Sequence, residues 1–279
     1  MIAPKRGALF SRIFVYAGTV FTIAILLLII GYILFKGVPN LSLDLFAWEY
    51  NSENVSLMPA LINTILMTVL SLLIAAPLGI FAAIYLSEYA KRGNRLVGVV
   101  RITAETLSGI PSIIYGLFGL LFFVTSLGLG MSLVSGALTV SIMILPLIMR
   151  TTEESLIAVP NEYREGSFGL GASKLRTVFK VVIPSAIPGI LAGIILGTGR
   201  IVGETAALIY TAGTVAQVPQ SIFDSTRTLS VHMYALASEG LYTNQAYATA
   251  AVLLVMVAGI NALSVYLAKS IARRQHGKV

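Results

Sequence analysis

The sequence predicts an all-α polytopic membrane protein of six transmembrane helices, and three observations carry that expectation. Only 11% of the 279 residues are charged and 57% are hydrophobic, whereas a soluble domain carries roughly 25% charged residues. The charges are clustered, leaving charge-free stretches at 13–35, 54–87, 106–149, 181–199, 205–223 and 240–268. About 20 apolar residues suffice to cross the hydrocarbon core. Finally, there is no cysteine, which excludes a disulfide scaffold, thiolate metal sites and a cysteine nucleophile. With two histidines far apart, His232 and His276, no metal cage or Ser–His triad is expected, and no cofactor is implied.

The first helix is expected over 13–35, after Lys5, Arg6 and Arg12. It is too long for the apolar region of a signal peptide, and no small-residue cleavage site follows. Asn54, Ser56 and Pro59 mark the approach to a second helix, about 58–86. The 44-residue stretch 106–149 divides at the uncharged turn Ser126-Leu-Gly-Leu-Gly-Met131. That gives a third helix over 105–126 and a fourth over 132–150. A fifth is expected over 184–211 and a sixth over 245–269.

Sixteen of the 19 Lys and Arg residues fall on one side of this arrangement: the N-terminus, the loop at 91–101, the loop at 150–180 and the C-terminal tail. The other side carries only Lys36 and Arg227, and Arg200 lies inside a span. The positive-inside rule therefore predicts that both termini are cytoplasmic. The net charge of +7 reads as a topological signal rather than a nucleic-acid footprint, with contact to anionic lipid of the bilayer as an added effect.

The basic-side loop at 150–183 is longer than a connection requires and carries both charge signs. Thr152–Glu154 and Asn161–Arg164 both read as helix starts, with a polar cap and acids in the first turn. Gly171 is placed to end the second short helix. Two short amphipathic helices are expected to protrude here; lying flat on the lipid surface is the alternative.

In the fifth helix, Gly189, Gly193 and Gly197 recur every four residues, as do Gly199 and Gly203. This is the small-xxx-small pattern of close helix packing. Arg200 and Glu204 are also four apart, which on a continuous helix puts them on one face. Arg200 is about 16 Å of helix from the far end at Thr211, beyond easy snorkelling. An ionised group at that depth needs a partner or a wet cavity. The pair reads either as a structural ion pair or as an anion site, since a guanidinium suits two oxyanion oxygens. Arg150 reads as a positive-inside anchor or as the inner end of an anion path. In Ser108-Gly-Ile-Pro-Ser112, Pro111 removes a helix hydrogen bond. The break is either a kink in packed helices or part of a binding cavity.

Three passages resemble one family. The loop spacing Glu165-Gly166-Ser167, three residues, Gly171, nine residues, then Val181-Val-Ile-Pro184 is similar to the EAA loop of binding-protein-dependent ABC importers. Ser108–Gly119 and Gly199–Gly213 resemble the permease subunits of phosphate ABC importers. Ser225–Tyr234 looks like the PstA type more than the PstC type.

The resemblance implies a MetI-like type I importer fold, with an anchor helix and external loop over 1–56, a permease core over 57–270 and a cytoplasmic tail over 271–279. It implies a PstC-like permease partner in a heterodimer, two PstB-like ATPase subunits, an external phosphate-binding protein and phosphate as cargo. On that reading Glu165, Gly166, Ser167 and Gly171 meet the ATPase. Arg200, Glu204, Arg150, Ser108 and Ser112 lie along the substrate path.

No Gly-x4-Gly-Lys-Ser/Thr motif is present, so ATP hydrolysis is expected in a separate subunit and the chain is not read as an enzyme. The outer stretch 212–244, with Asp224, Arg227, His232 and Glu239, is either a landing place for the binding protein or a solvated loop. The rival functions are a permease for another oxyanion such as phosphonate, sulfate or molybdate, a stand-alone channel, and a membrane enzyme using the Arg200–Glu204 dyad.

Overall fold

A computed structural model of the protein describes residues 6–91 and 93–276, with side-chain surroundings defined for 11–91 and 93–266. Lys5, Arg92 and Lys278, which contribute to the charge asymmetry, lie outside the described residues. The described residues form helices α1 Arg6–Gly37, α2 Met58–Ile84, α3 Arg95–Ser108, α4 Ser112–Gly119, α5 Leu133–Ile157, α6 Asn161–Gly169, α7 Lys174–Thr177, α8 Ile183–Val202, α9 Ala206–Thr211, α10 Leu229–Glu239 and α11 Thr243–His276. One-turn π segments extend α2 through Tyr85–Tyr89, extend α4 through Leu120–Ser126, and join α7 to α8 through Val178–Val182.

Five of the resulting helical segments are long and apolar enough to cross a membrane, and a sixth crossing is a bent pair. Six expected spans are thus present, but two are interrupted. The third was expected as one helix over 105–126. It begins instead at Arg95, where the Asn94 side chain caps the Leu96 N–H, and turns by 103° between Ser108 and Ser112. Pro111 is extended there, with ψ 138°, and supplies no N–H to continue the ladder. The fifth, expected unbroken over 184–211, stops at Val202 and restarts at Ala206.

The fourth helix corrects the expectation in the other direction. It does not end at Arg150, and Thr152–Glu154 starts no new helix, because α5 runs on to Ile157. Thr151 Oγ1 bonds back to the Leu147 carbonyl, and Arg150 Nε reaches Glu154 one turn on at 3.0 Å. These polar side chains satisfy the helix they sit in. The stop comes at Pro160, which is extended.

The centre of the body is α5 packed against α2 and α8. Met67, Ala75, Val140, Met143, Ile144 and Ile148 are fully buried there. The glycine repeat of α8 faces α5 as the spacing predicts: a Cβ at Gly189 would strike Ser155, one at Gly193 would strike Thr151, and one at Gly197 would touch Ile148 at 3.6 Å. The second repeat is different. A Cβ at Gly203 meets only its own Gly199 carbonyl at 3.5 Å, so this glycine serves the break rather than close packing.

The turn at Gly128 and Gly130 has both glycines at positive φ, 65° and 67°, which side chains with a Cβ avoid. Ser132 then caps α5 through the Ser135 N–H. Helix α1 stands away from the body, with Phe14 74% exposed. It touches α11 where Gly37 meets the Tyr247 carbonyl.

On the face opposite the basic loops, the segment from Thr226 into α10 is buried among α2 and the stretch before it. His232 has no accessible surface. Burial, reinforced by the Arg227 charge, pushes its imidazole down to about 3, opposed by a hydrogen bond to the Val55 backbone. In an unfolded chain the same group titrates near 6.5. Below about pH 6.5 the unfolded state therefore takes up a proton that the folded state refuses, and stability falls until about pH 3. Thermal unfolding in detergent between pH 7 and pH 4 is expected to show this loss. A His232→Gln chain is expected to show a flatter pH dependence over that window.

Candidate functional site

Two places on the molecule concentrate polar chemistry. The first is where the two interrupted spans meet. Helices α4 and α9, the segments beyond each break, pack directly on one another. A Cβ at Gly116 would lie 2.8 Å from the Ala207 Cα, and one at Gly119 would strike Thr139 and Thr211. Each break frees backbone groups that must find partners within protein. Tyr115 Oη donates to the Leu107 carbonyl at 2.8 Å, bridging the break between α3 and α4. Glu204 Oε1 accepts from the Ala207 N–H at 3.0 Å, capping α9. The Glu204 carbonyl accepts from Ser230 Oγ at the start of α10.

Glu204 is 7% exposed. Arg200 is half-buried in the last turn of α8 and acts electrostatically on the Tyr115 phenol across the interface. The expected alignment of Arg200 with Glu204 fails. The helix breaks between them at Gly203–Thr205, and Thr205 takes φ −123°, ψ −56°. Among the described residues no carboxylate lies within salt-bridge distance of Arg200. Glu204 spends its carboxylate on the helix start, where the positive end of the backbone dipole favours an anion. Arg200 keeps donors for another oxygen.

Of the other expected path residues, Ser108 and Ser112 flank the break in the third span, with Ser108 Oγ bonded to the Ala104 carbonyl at 2.9 Å. Arg150 is not gathered into this site. Its partners are Glu154 at 3.0 Å and Glu105 at 3.8 Å on an exposed surface. Tyr115 and Ser230 went unread in the sequence. Tyr115 sits four residues after Pro111, a spacing that returns a side chain to the break.

The second place is α6 on the basic face. Gly171 has φ +80°, its N–H bonds to the Phe168 carbonyl at 2.9 Å, and the next N–H, of Ala172, reaches Ser167 at 3.1 Å. That double bond pattern is the Schellman close of a helix. Glu165 and Gly166 are exposed, as are Tyr163, Phe168 and Leu170, the last at 91%. Ser167 faces the other way and bonds Thr177 Oγ1 at 2.9 Å, fastening α6 to α7.

The fastening that the sequence did not reveal is Arg164. Its Nη2 lies 2.6 Å from Glu88 Oε1 at the end of the second span, and both side chains are largely buried. The same guanidinium donates to the carbonyls of Leu156 and Val159 at 2.8 and 2.7 Å. Nothing in a local sequence pattern connects positions 76 residues apart.

Known proteins match this architecture. The family described as "Binding-protein-dependent transport system inner membrane component" matches residues 75–277. The probable ABC transporter permease protein YqgI of Bacillus subtilis is 35% identical over 233 residues, 78% of this chain and 79% of that protein. The phosphate transport system permease protein PstA of Haemophilus influenzae is 33% identical over 230 residues, 81% of each. Among solved structures, a bacterial ABC transporter involved in the import of the acidic polysaccharide alginate superposes with a TM-score of 0.65 at 17% identity, over 92% of this chain and 96% of that one.

Because L-residues reach positive φ at a cost of about 1–2 kcal/mol, Gly171→Val is expected to loosen the end of α6. Amide hydrogen exchange across 161–172 is expected to speed up, while exchange in the α5–α8 contact stays unchanged.

Proposed function

The chain belongs to the family of binding-protein-dependent transport system inner membrane components, and on that premise we propose that it is a PstA-type permease subunit that moves inorganic phosphate by alternating access. The observation that carries this reading is the meeting of two interrupted spans at Arg200, Tyr115 and Glu204. Interrupted helices of this kind supply transporter binding sites because their freed termini face a cavity. A guanidinium with no carboxylate partner at that point suits an oxyanion held through two oxygens. The relatives bearing the phosphate permease name support phosphate among oxyanions.

The basic face is then cytoplasmic, as the positive-inside rule requires. A PstC-like permease completes the membrane unit, and two PstB-like ATPase subunits dock on the cytoplasmic face. The exposed Tyr163, Phe168 and Leu170 with Glu165 and Gly166 form the projecting surface for one ATPase, and Gly171 sets its angle. A phosphate-binding protein delivers its cargo on the opposite face. Closure of the ATPases displaces α6, and Arg164 passes that displacement to the second and fourth spans. The two breaks then open or close around Arg200. Glu204 holds α9 in register, while Ser108 and Ser112 border the path at the other break. Arg150, held by Glu154 and Glu105, stays on the basic face as an anchor outside the path.

In vesicles carrying the assembled complex, Arg200→Ala is expected to abolish ATP-driven phosphate uptake while the ATPase subunits still co-purify. Uptake at the wild-type rate by that variant would remove Arg200 from the path. Sulfate or molybdate uptake by the wild-type complex in place of phosphate would reassign the cargo.

A further inference from the structure

A second set of polar groups lies away from the Arg200 site, on the face opposite the basic loops. Arg227 is 6% exposed, yet its Nε and Nη2 have no hydrogen-bond partner. Among the described residues no carboxylate pairs with it. The Tyr50 ring lies 5.0 Å from its guanidinium carbon and packs edge-on against His232 at 6.0 Å. Asn63 Oδ1, Thr226 Oγ1 and a His232 ring nitrogen are buried without partners as well, while the other His232 nitrogen faces the Val55 backbone. Asn63 binds the groups together, because its Nδ2 donates to the Gln217 and Arg227 carbonyls at 2.9 and 3.2 Å. Those two acceptors fix the amide orientation and leave Oδ1 as a bare acceptor.

Three physical points narrow what satisfies this cluster. A guanidinium stays charged at any working pH, and a buried charge without a counter-charge is strongly destabilising. Water satisfies hydrogen bonds but supplies no negative charge, and the neutral imidazole beside it supplies none. The unpartnered Nε–Nη2 edge is enclosed within this chain. A small diffusible anion reaches it once the cover opens. Tyr50, stacked on the guanidinium, is that cover, and the nearby Val55 holds φ +46°, a sparsely populated conformation for a β-branched residue.

The Nε–Nη2 edge of arginine takes two oxygens of one anion. Asn63 Oδ1 and one nitrogen of neutral His232 need a donor in return. A tetrahedral oxyanion that carries a hydroxyl offers both; sulfate, fully ionised, offers no donor. We propose that Arg227, His232, Asn63 and Thr226 form an outer station for a hydroxyl-bearing oxyanion of the phosphate class, closed by Tyr50 in the present conformation. The station rests on the reading of the chain as a phosphate permease. Hydrogen bonds connect the segment that carries it to the inner break: Thr228 and Ser230 hydroxyls lie 3.1 Å apart, and Ser230 Oγ donates to the Glu204 carbonyl.

The test uses the purified importer complex without its binding protein and labelled inorganic phosphate in equilibrium dialysis, with Arg200→Ala present to remove the inner site. Phosphate binding is expected to persist, to weaken at least tenfold when Arg227→Gln is added, and to be displaced by arsenate but not by equal sulfate. Arg227→Lys, which keeps the charge but loses the two-pronged edge, is expected to fall between. Co-purification with the ATPase and a single cooperative unfolding transition establish that each variant is assembled. Absence of residual binding, binding indifferent to Arg227→Gln, or equal displacement by sulfate overturns the station. Phosphate uptake by the wild-type complex is measured alongside. If uptake is present and the station fails, the permease reading stands. If uptake is absent, that reading falls first.

Discussion

The Arg164–Glu88 contact holds the projecting helix to the membrane body. One guanidinium serves three acceptors on two spans at once: Glu88 at the end of the second span, and the carbonyls of Leu156 and Val159 where the fourth span ends. Carbonyls at a helix C-terminus run short of backbone donors, and the negative end of the helix dipole favours a buried cation there as well. Removing one member of a buried pair costs about 3 kcal/mol or more, because the other charge is left unsolvated. Helix α6 is therefore not a flexible loop tip. Its motion is tied to the ends of two spans.

From those ends the connection to the interrupted spans is made of close contacts. The fourth span meets α8 through the glycine row Gly189, Gly193 and Gly197, where Ser155, Thr151 and Ile148 fill the space a Cβ would occupy. Such contacts transmit displacement with little slack, because packed interiors deform poorly. At the far end of α8 the helix gives way at Gly203–Thr205, and α9 turns against α4. The resistant part and the yielding part thus follow one another along a single chain segment, with Arg200 at the junction. A force applied at α6 has a continuous packed route to the break.

Much of this was legible in the sequence, because membranes impose strict accounting on charge and backbone. The span count, the Gly171 close and the first glycine row are all local or periodic signals, and all are present in the fold. What escaped were consequences of tertiary packing. The Arg200–Glu204 spacing fits one helical face, but the backbone breaks between them, and the carboxylate caps α9 instead. Pro111 marked a disturbance, but nothing local told a kink from a 103° turn. The polar run Thr151–Ser155 resembles a helix start, yet it continues α5 because its side chains bond back along the helix. Arg164 pairs with a residue 76 positions away, and Arg227 is buried by segments no local pattern brings together.

The measurement that bears most directly on this account is phosphate imported per ATP hydrolysed, in vesicles holding the complete complex with Glu88→Ala. With the tie between α6 and the second span gone, ATP hydrolysis is expected to continue while phosphate import per ATP falls severalfold. An unchanged ratio in an assembled complex would contradict the account, since the motor would then reach the gate without this contact.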